Sequence, residues 1–300
     1  MAGATNDNFE LVEPEVLAKL SKLSIRARGL VEGSFSGIHK SPHRGSSIEF
    51  AQYRKYVPGD DVNNIDWRVY AKTDRFYIKE FEADTNLRCY FVIDCSGSMG
   101  FKALNGISKL DYARKSVALL SQIFVQQSDT VGLQCFSDTL VHDIPARGSA
   151  KHLGNIFTVL RELTPSGETN IVKILHDLAE KIHRRALIFV FSDFFTDVEK
   201  LLDCFQHMKH RKHDLAIFHM LSEQEVEFEF DRAVRFMDME SNFSIVTEPA
   251  LIRKDYQREI KSYMKRIQEG CREYHVDYRK IFIETPYDKI LTEFLLERSR

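Results

Sequence analysis

The sequence predicts an α/β fold: a doubly wound, mostly parallel six-stranded sheet with helices on both faces, joined to a small β subdomain. Three observations carry that expectation. From about residue 86 the chain alternates short apolar runs with amphipathic stretches of helical period. The runs, such as LIFVF at 187–191, lack polar alternation, as strands buried on both faces do. Gly and Pro are scarce, 14 and 7 in 300 residues, which favours regular elements joined by short loops.

Each element has its own signal. LRCYFVI (87–93) is a buried-strand run that stops at Asp94. Leu110, Ala113, Val117, Leu120 and Phe124 then recur at helical steps. TVGLQCF (130–136) reads as a strand and TLVHD (139–143) as its short antiparallel return. Leu153, Ile156, Phe157 and Leu160 mark one helix; Ile171, Ile174, Leu175, Leu178 and Ile182 mark the next. ALIFVF (186–191) is a central strand, followed by a helix carrying Val198, Leu201, Leu202 and Phe205. A strand at 214–221, a long helix at 249–269 and a strand at 276–283 complete the alternation. The last helix opens with Thr285, Pro286, Tyr287 and Asp288: a cap, a first-turn proline and an early acid.

Two stretches break the pattern. After an amphipathic helix near 14–28, residues 30–85 hold four glycines among short β-like pieces. Residues 223–247 also read as short strands, inserted before the long helix. The expected division is therefore an N-terminal helix and β segment at 1–85, an α/β domain at 86–222 and 248–300, and a β insertion at 223–247 that joins the N-terminal segment in one small module.

Composition excludes several classes. The formal net charge is −2, without the concentrated basic face that a nucleic-acid or anionic-membrane binder needs. The five cysteines are scattered, with no pair at two-residue spacing, so neither a disulfide framework nor a thiolate zinc site is expected. The first residues carry acids and no early Lys or Arg, unlike a signal peptide, and no apolar run has the length of a bilayer span. A cytoplasmic protein is the expectation.

The chemistry concentrates in FVIDCSGSMG, 91–100. A strand delivers Asp94 to its carboxyl end, where ligands gather in doubly wound sheets. Ser96 and Ser98 follow at alternate positions. PSGETN brings Thr169 and SDFFTD brings Asp193 to the same edge. Three hydroxyls and two carboxylates are hard oxygen donors suited to Mg²⁺ or Mn²⁺, although each residue is also a good helix cap.

Asp94-x-Ser96-x-Ser98 after an apolar strand, with Thr169 and Asp193 in later loops, resembles the metal-ion-dependent adhesion site (MIDAS) of von Willebrand factor type A domains, a Rossmann-like fold. The resemblance implies that Ser96, Ser98 and Thr169 touch the metal, while Asp94 and Asp193 hold it largely through water. Residues 37–88, with Gly59-Asp60-Asp61 and Ile65-Asp66-Trp67, look like the signature of the domain of unknown function 58 family, bacterial proteins with an embedded type A domain. The segment departs from that pattern at Asn63, Asn64 and Asp84. Relatives often occur beside MoxR-type AAA+ ATPases, so the resemblance implies such an ATPase as partner.

Mg²⁺ held by neutral hydroxyls keeps much of its charge and attracts a partner's Asp or Glu. The expected function is thus metal-dependent protein–protein interaction, as an adaptor or co-chaperone and not as an enzyme. One alternative is a phosphohydrolase of the haloacid dehalogenase type, but such sites want a second acid two residues after the first, where Ser96 stands. Another is a structural scaffold with an unoccupied metal site. No nucleotide-binding glycine loop or serine-hydrolase elbow occurs. His207, His210 and His213 could form a metal face, but with Lys209, Arg211 and Lys212 they read better as a cationic helix end facing its dipole. Asp60, Asp61, Asp66, Trp67 and Arg68 form either a second polar site or, in the simpler reading, a turn and an anchored corner.

Overall fold

A computed structural model of the chain describes residues 11–23, 48–57, 65–83, 87–228, 234–237, 239 and 244–299. The chain divides into two compact units, residues 28–86 and the remainder. In the smaller unit β1 (Ile48–Lys55) and β2 (Tyr77–Ala83) form an antiparallel pair, with α2 (Trp67–Thr73) between them in sequence. Asp66 caps α2 by accepting from the backbone N–H groups of Arg68 and Val69, at 2.9 and 3.3 Å, and its own N–H bonds Tyr77 O. The corner is thus held by Asp66. Trp67 is not its anchor, being 59% exposed and edge-on to Tyr70. Asp60 and Asp61 lie outside the described residues.

The larger unit opens with α1 (Pro14–Leu20), shorter than the expected helix near 14–28, since the chain turns at Ser21. Residues 24–28 of that helix are outside the described ones. Next come β3 (Arg88–Asp94), α3 (Lys109–Gln126), β4 (Thr130–Phe136), β5 (Leu140–Arg147), α4 (Ala150–Glu162), α5 (Ile171–Lys181), β6 (Leu187–Ser192), α6 (Val198–His210) and β7 (Asp214–Leu221). They are followed by α7 (Glu223–Glu227), β8 (Val234–Met237), β9 (Ser244–Thr247), α8 (Pro249–Glu273), β10 (Asp277–Phe282) and α9 (Tyr287–Ser299).

Six strands form one sheet in the order β10-β7-β6-β3-β4-β5, parallel except for β5, which returns antiparallel on β4. Strand alternation sends Phe91, Phe189 and Phe218 to one face, covered by α1, α3, α4 and α9. Val92, Val190 and Ile217 point to the other, covered by α5, α6 and α8. Rings of Phe91 and Phe189 stack at 4.9 Å and those of Phe191 and Phe218 at 4.6 Å. Part of the abundant phenylalanine is therefore the packing of one sheet face. The strand order reverses about β3, so its carboxyl end is the topological switch point.

Residues 223–247 depart from the expectation of strands alone. Ser222 and Glu225 form a reciprocal capping box, so the segment begins as helix α7 before the hairpin β8-β9. Arg253 and Gln257 of α8 donate to Phe228 O and Glu227 O at 3.0 and 2.7 Å. Those bonds tie the segment to the α/β unit, and the division into units leaves it there, whereas the sequence reading joined it to the N-terminal segment.

Candidate metal centre

Asp94 ends β3, fully buried, at the switch point. Its Oδ1 accepts from the Ser96 N–H at 2.9 Å; its Oδ2 accepts from Thr169 Oγ1 at 3.0 Å and Ser192 Oγ at 2.7 Å. Ser96 and Ser98 hydroxyls lie 3.1 Å apart. One hydrogen-bonded chain thus runs through Ser98, Ser96, Asp94 and Thr169, from two segments about 75 residues apart in sequence, and Ser192 joins it from a third.

Two loops are stitched together to achieve this. Gly97 N–H donates to Gly167 O at 2.9 Å, and Ser166 N–H to Cys95 O at 2.8 Å. Gly167 has φ of +77°, a conformation glycine adopts without a Cβ penalty. A third loop enters after β6, where Phe194 takes φ of +54° and its N–H bonds Ser192 Oγ at 2.9 Å. Tyr263 of α8 accepts from Thr196 N–H at 3.1 Å and donates to the Phe194 carbonyl. Asp193 is thereby held, wholly buried, near Asp94.

Burial pushes the Asp94 carboxyl up to about 6, and the neighbouring Asp193 charge adds to the rise; bonds from Ser96 and Ser192 oppose it. Asp193 Oδ2 accepts from Lys109 Nζ at 3.1 Å, and Lys109 also reaches Glu225 Oε1 at 2.7 Å. Asp193 Oδ1 is buried with no hydrogen-bond partner. An acceptor left this way is costly unless a donor or cation meets it. Among the described residues no three His, Cys, Asp or Glu side chains are placed to hold a metal. An ion here would therefore depend on the hydroxyls of Ser96, Ser98 and Thr169, and this set of oxygen atoms fits Mg²⁺ or Mn²⁺.

Three members were not foreseen in the sequence. Ser192 adjoins Asp193 and could have been found by extending that motif one residue back. Lys109 carries an oddity: a lone cation in the first turn of an amphipathic helix, where the dipole disfavours it. Glu225 is visible only as part of the Ser222 capping box. The histidine trio does not gather. His207 bonds His176 Nδ1 and Glu180, His210 is exposed on α6, and His213 is buried beyond the helix end.

A family model described as "Protein of unknown function DUF58" matches residues 52–266. Uncharacterized proteins of Mycobacterium tuberculosis and Mycobacterium bovis are 25% identical over 272 residues, which cover 87% of this chain and 84% of theirs. A solved conserved hypothetical protein, BatB from Bacteroides thetaiotaomicron, is 12% identical with a TM-score of 0.49, covering 71% of this chain and 98% of that one. An aerotolerance-related membrane protein from Bacteroides fragilis is 15% identical with a TM-score of 0.45, covering 71% and 100%. No helix among the described residues is long and apolar enough to cross a membrane.

Proposed function

We propose that this chain, which belongs to the family described as protein of unknown function DUF58, is a non-catalytic interaction module that binds a carboxylate of a partner protein through Mg²⁺ or Mn²⁺. The observation that carries the reading is the gathering of Ser96, Ser98 and Thr169 around buried Asp94 at the switch point, through the Ser96 N–H, the Thr169 hydroxyl and the Ser96–Ser98 hydroxyl pair, near an Asp193 oxygen that lacks a donor.

The chain's own residues divide the work. Ser96, Ser98 and Thr169 offer neutral oxygens to the ion; Asp94 orients Ser96 and Thr169 through its hydrogen bonds, and Asp193 supplies a second negative charge. A bound divalent ion contributes residual positive charge and an open coordination position. Phe195, exposed on the loop that carries Asp193, supplies apolar surface beside it. The resemblance stated above makes a MoxR-type AAA+ ATPase, or its client, the candidate partner. The five cysteines are all free and buried, which fits a reducing, cytoplasmic setting.

Calorimetric titration with Mn²⁺ tests the site. Wild type is expected to bind and Asp94→Ala to lose binding at least about tenfold; equal binding by both overturns the proposal. Affinity capture in Mg²⁺ and in chelator tests the docking, which requires a partner retained only with the ion.

A further inference from the structure

We infer that Lys109 is a built-in counter-cation that sets how strongly this site holds a divalent ion, with Glu225 of α7 as the opposing weight. This rests on the metal-docking reading above and assigns a role that reading does not contain.

Lys109 is an unusual place for a charge. Its side chain is 0% exposed, it sits at the start of α3 against the helix dipole, and its ammonium lies 5.7 and 5.3 Å from the ring centres of Phe101 and Phe195. Burial alone would drive such a group to its neutral form, yet Asp193 and Glu225 together hold its pKa above the ordinary lysine value. The ion pairs are 3.1 and 2.7 Å long, and Glu225 is itself only 15% exposed. A lysine used only to fill this corner would be better replaced by an apolar residue.

Its position gives it a second effect. Asp193 Oδ2 is engaged by Lys109 while Oδ1 remains free, so one half of the carboxylate is already neutralised from the protein side. Asp94, Asp193, Glu225 and Lys109 together carry a formal charge of −2, matched by one divalent ion. Without the lysine charge the set is −3; without the Glu225 charge it is −1, and Lys109 is left to Asp193 alone. The two partners of one ion pair therefore act on ion affinity with opposite signs.

That sign difference is the test. Mn²⁺ affinity is measured by calorimetry for wild type, Lys109→Met and Glu225→Gln, with melting temperature recorded in chelator and in Mn²⁺. Gln keeps one acceptor oxygen, which holds the Ser222 N–H of the capping box while the acceptor for Lys109 is lost. Lys109→Met is expected to bind at least about tenfold more tightly and Glu225→Gln several-fold more weakly, although both lose melting temperature in chelator. If Lys109→Met does not fold, Glu225→Gln decides alone: affinity within twofold of wild type overturns the inference. Equal affinities, or shifts in the same direction, also overturn it and leave the docking proposal standing. A wild type that binds no Mn²⁺ sinks the docking proposal itself, and this inference with it.

Discussion

Asp94 is held at a cost. Its carboxyl, raised to about 6 first by burial and then by Asp193, is less readily ionised in the folded chain than in the unfolded one, whose ordinary value is 3.8. Below pH 3.8 both states are protonated and nothing is lost. As pH rises from 3.8 through 6, the unfolded chain sheds its proton first and the metal-free fold loses stability, a loss complete above pH 6, of about 3 kcal/mol at 1.36 kcal/mol per pKa unit. Asp94→Asn removes this cost; its amide oxygen still accepts from the Ser96 N–H, while its Nδ2 donates to the Thr169 and Ser192 hydroxyls, which turn to accept. The metal-free variant is therefore expected to be more stable than wild type at pH 7.5 by about 1–3 kcal/mol, with the difference fading as pH falls below 4. Urea denaturation in chelator at both pH values checks it. A variant less stable at pH 7.5 would mean that the carboxylate is retained for the fold and not for a ligand.

Among the elements, β4 is closely fitted on both of its sides. A Cβ at Gly132 would stand 2.7 Å from the ring of Tyr90 on β3 and 3.0 Å from the Ala146 backbone nitrogen on β5. The β4-β5 register also shifts between Val131 and Leu133. Gly132→Ala is accordingly expected to cost about 1–3 kcal/mol despite the better strand propensity of alanine, read as a lower urea midpoint; an unchanged midpoint would mean that Tyr90 swings aside freely. This constraint was invisible in TVGLQCF, because a contact between three strands has no local signature. The apolar runs themselves were legible, since β3, β6 and β7 are buried on both faces and His219 alone breaks their apolar interiors. In 223–247 the alternation of EVEFEF pointed to a strand, and the Ser222-x-x-Glu225 box overrode it locally with α7. That Asp94, Ser96, Ser98 and Thr169 meet at one sheet edge was legible because each follows or precedes a regular element there. Lys109 was not, because its partners Asp193 and Glu225 lie 84 and 116 residues away.

Across the whole α/β unit, charge is buried at both ends of the sheet for different ends. At the carboxyl edge Asp94 and Asp193 leave an acceptor unmet. At the amino edge Asp214 and Asp277, the first residues of β7 and β10, are both met by Arg298 of α9, which donates to them at 3.0 and 2.7 Å from a fully buried side chain. Its guanidinium also lies over the Phe294 ring at 5.3 Å. One residue thus fastens the final helix to two strands. Arg298→Met keeps the volume and removes the charge, leaving two buried carboxylates without their counter-ion. It is expected to cost about 3–5 kcal/mol of unfolding free energy. Because Arg298 and Asp94 are at opposite ends of parallel strands, Mn²⁺ affinity of the folded variant should stay within about twofold of wild type. Urea denaturation and calorimetry on the same sample test both halves. Stability lost together with affinity would mean that the two edges are one cooperative charge system, with the amino-end ion triad tuning the carboxyl-end site through the strands that join them.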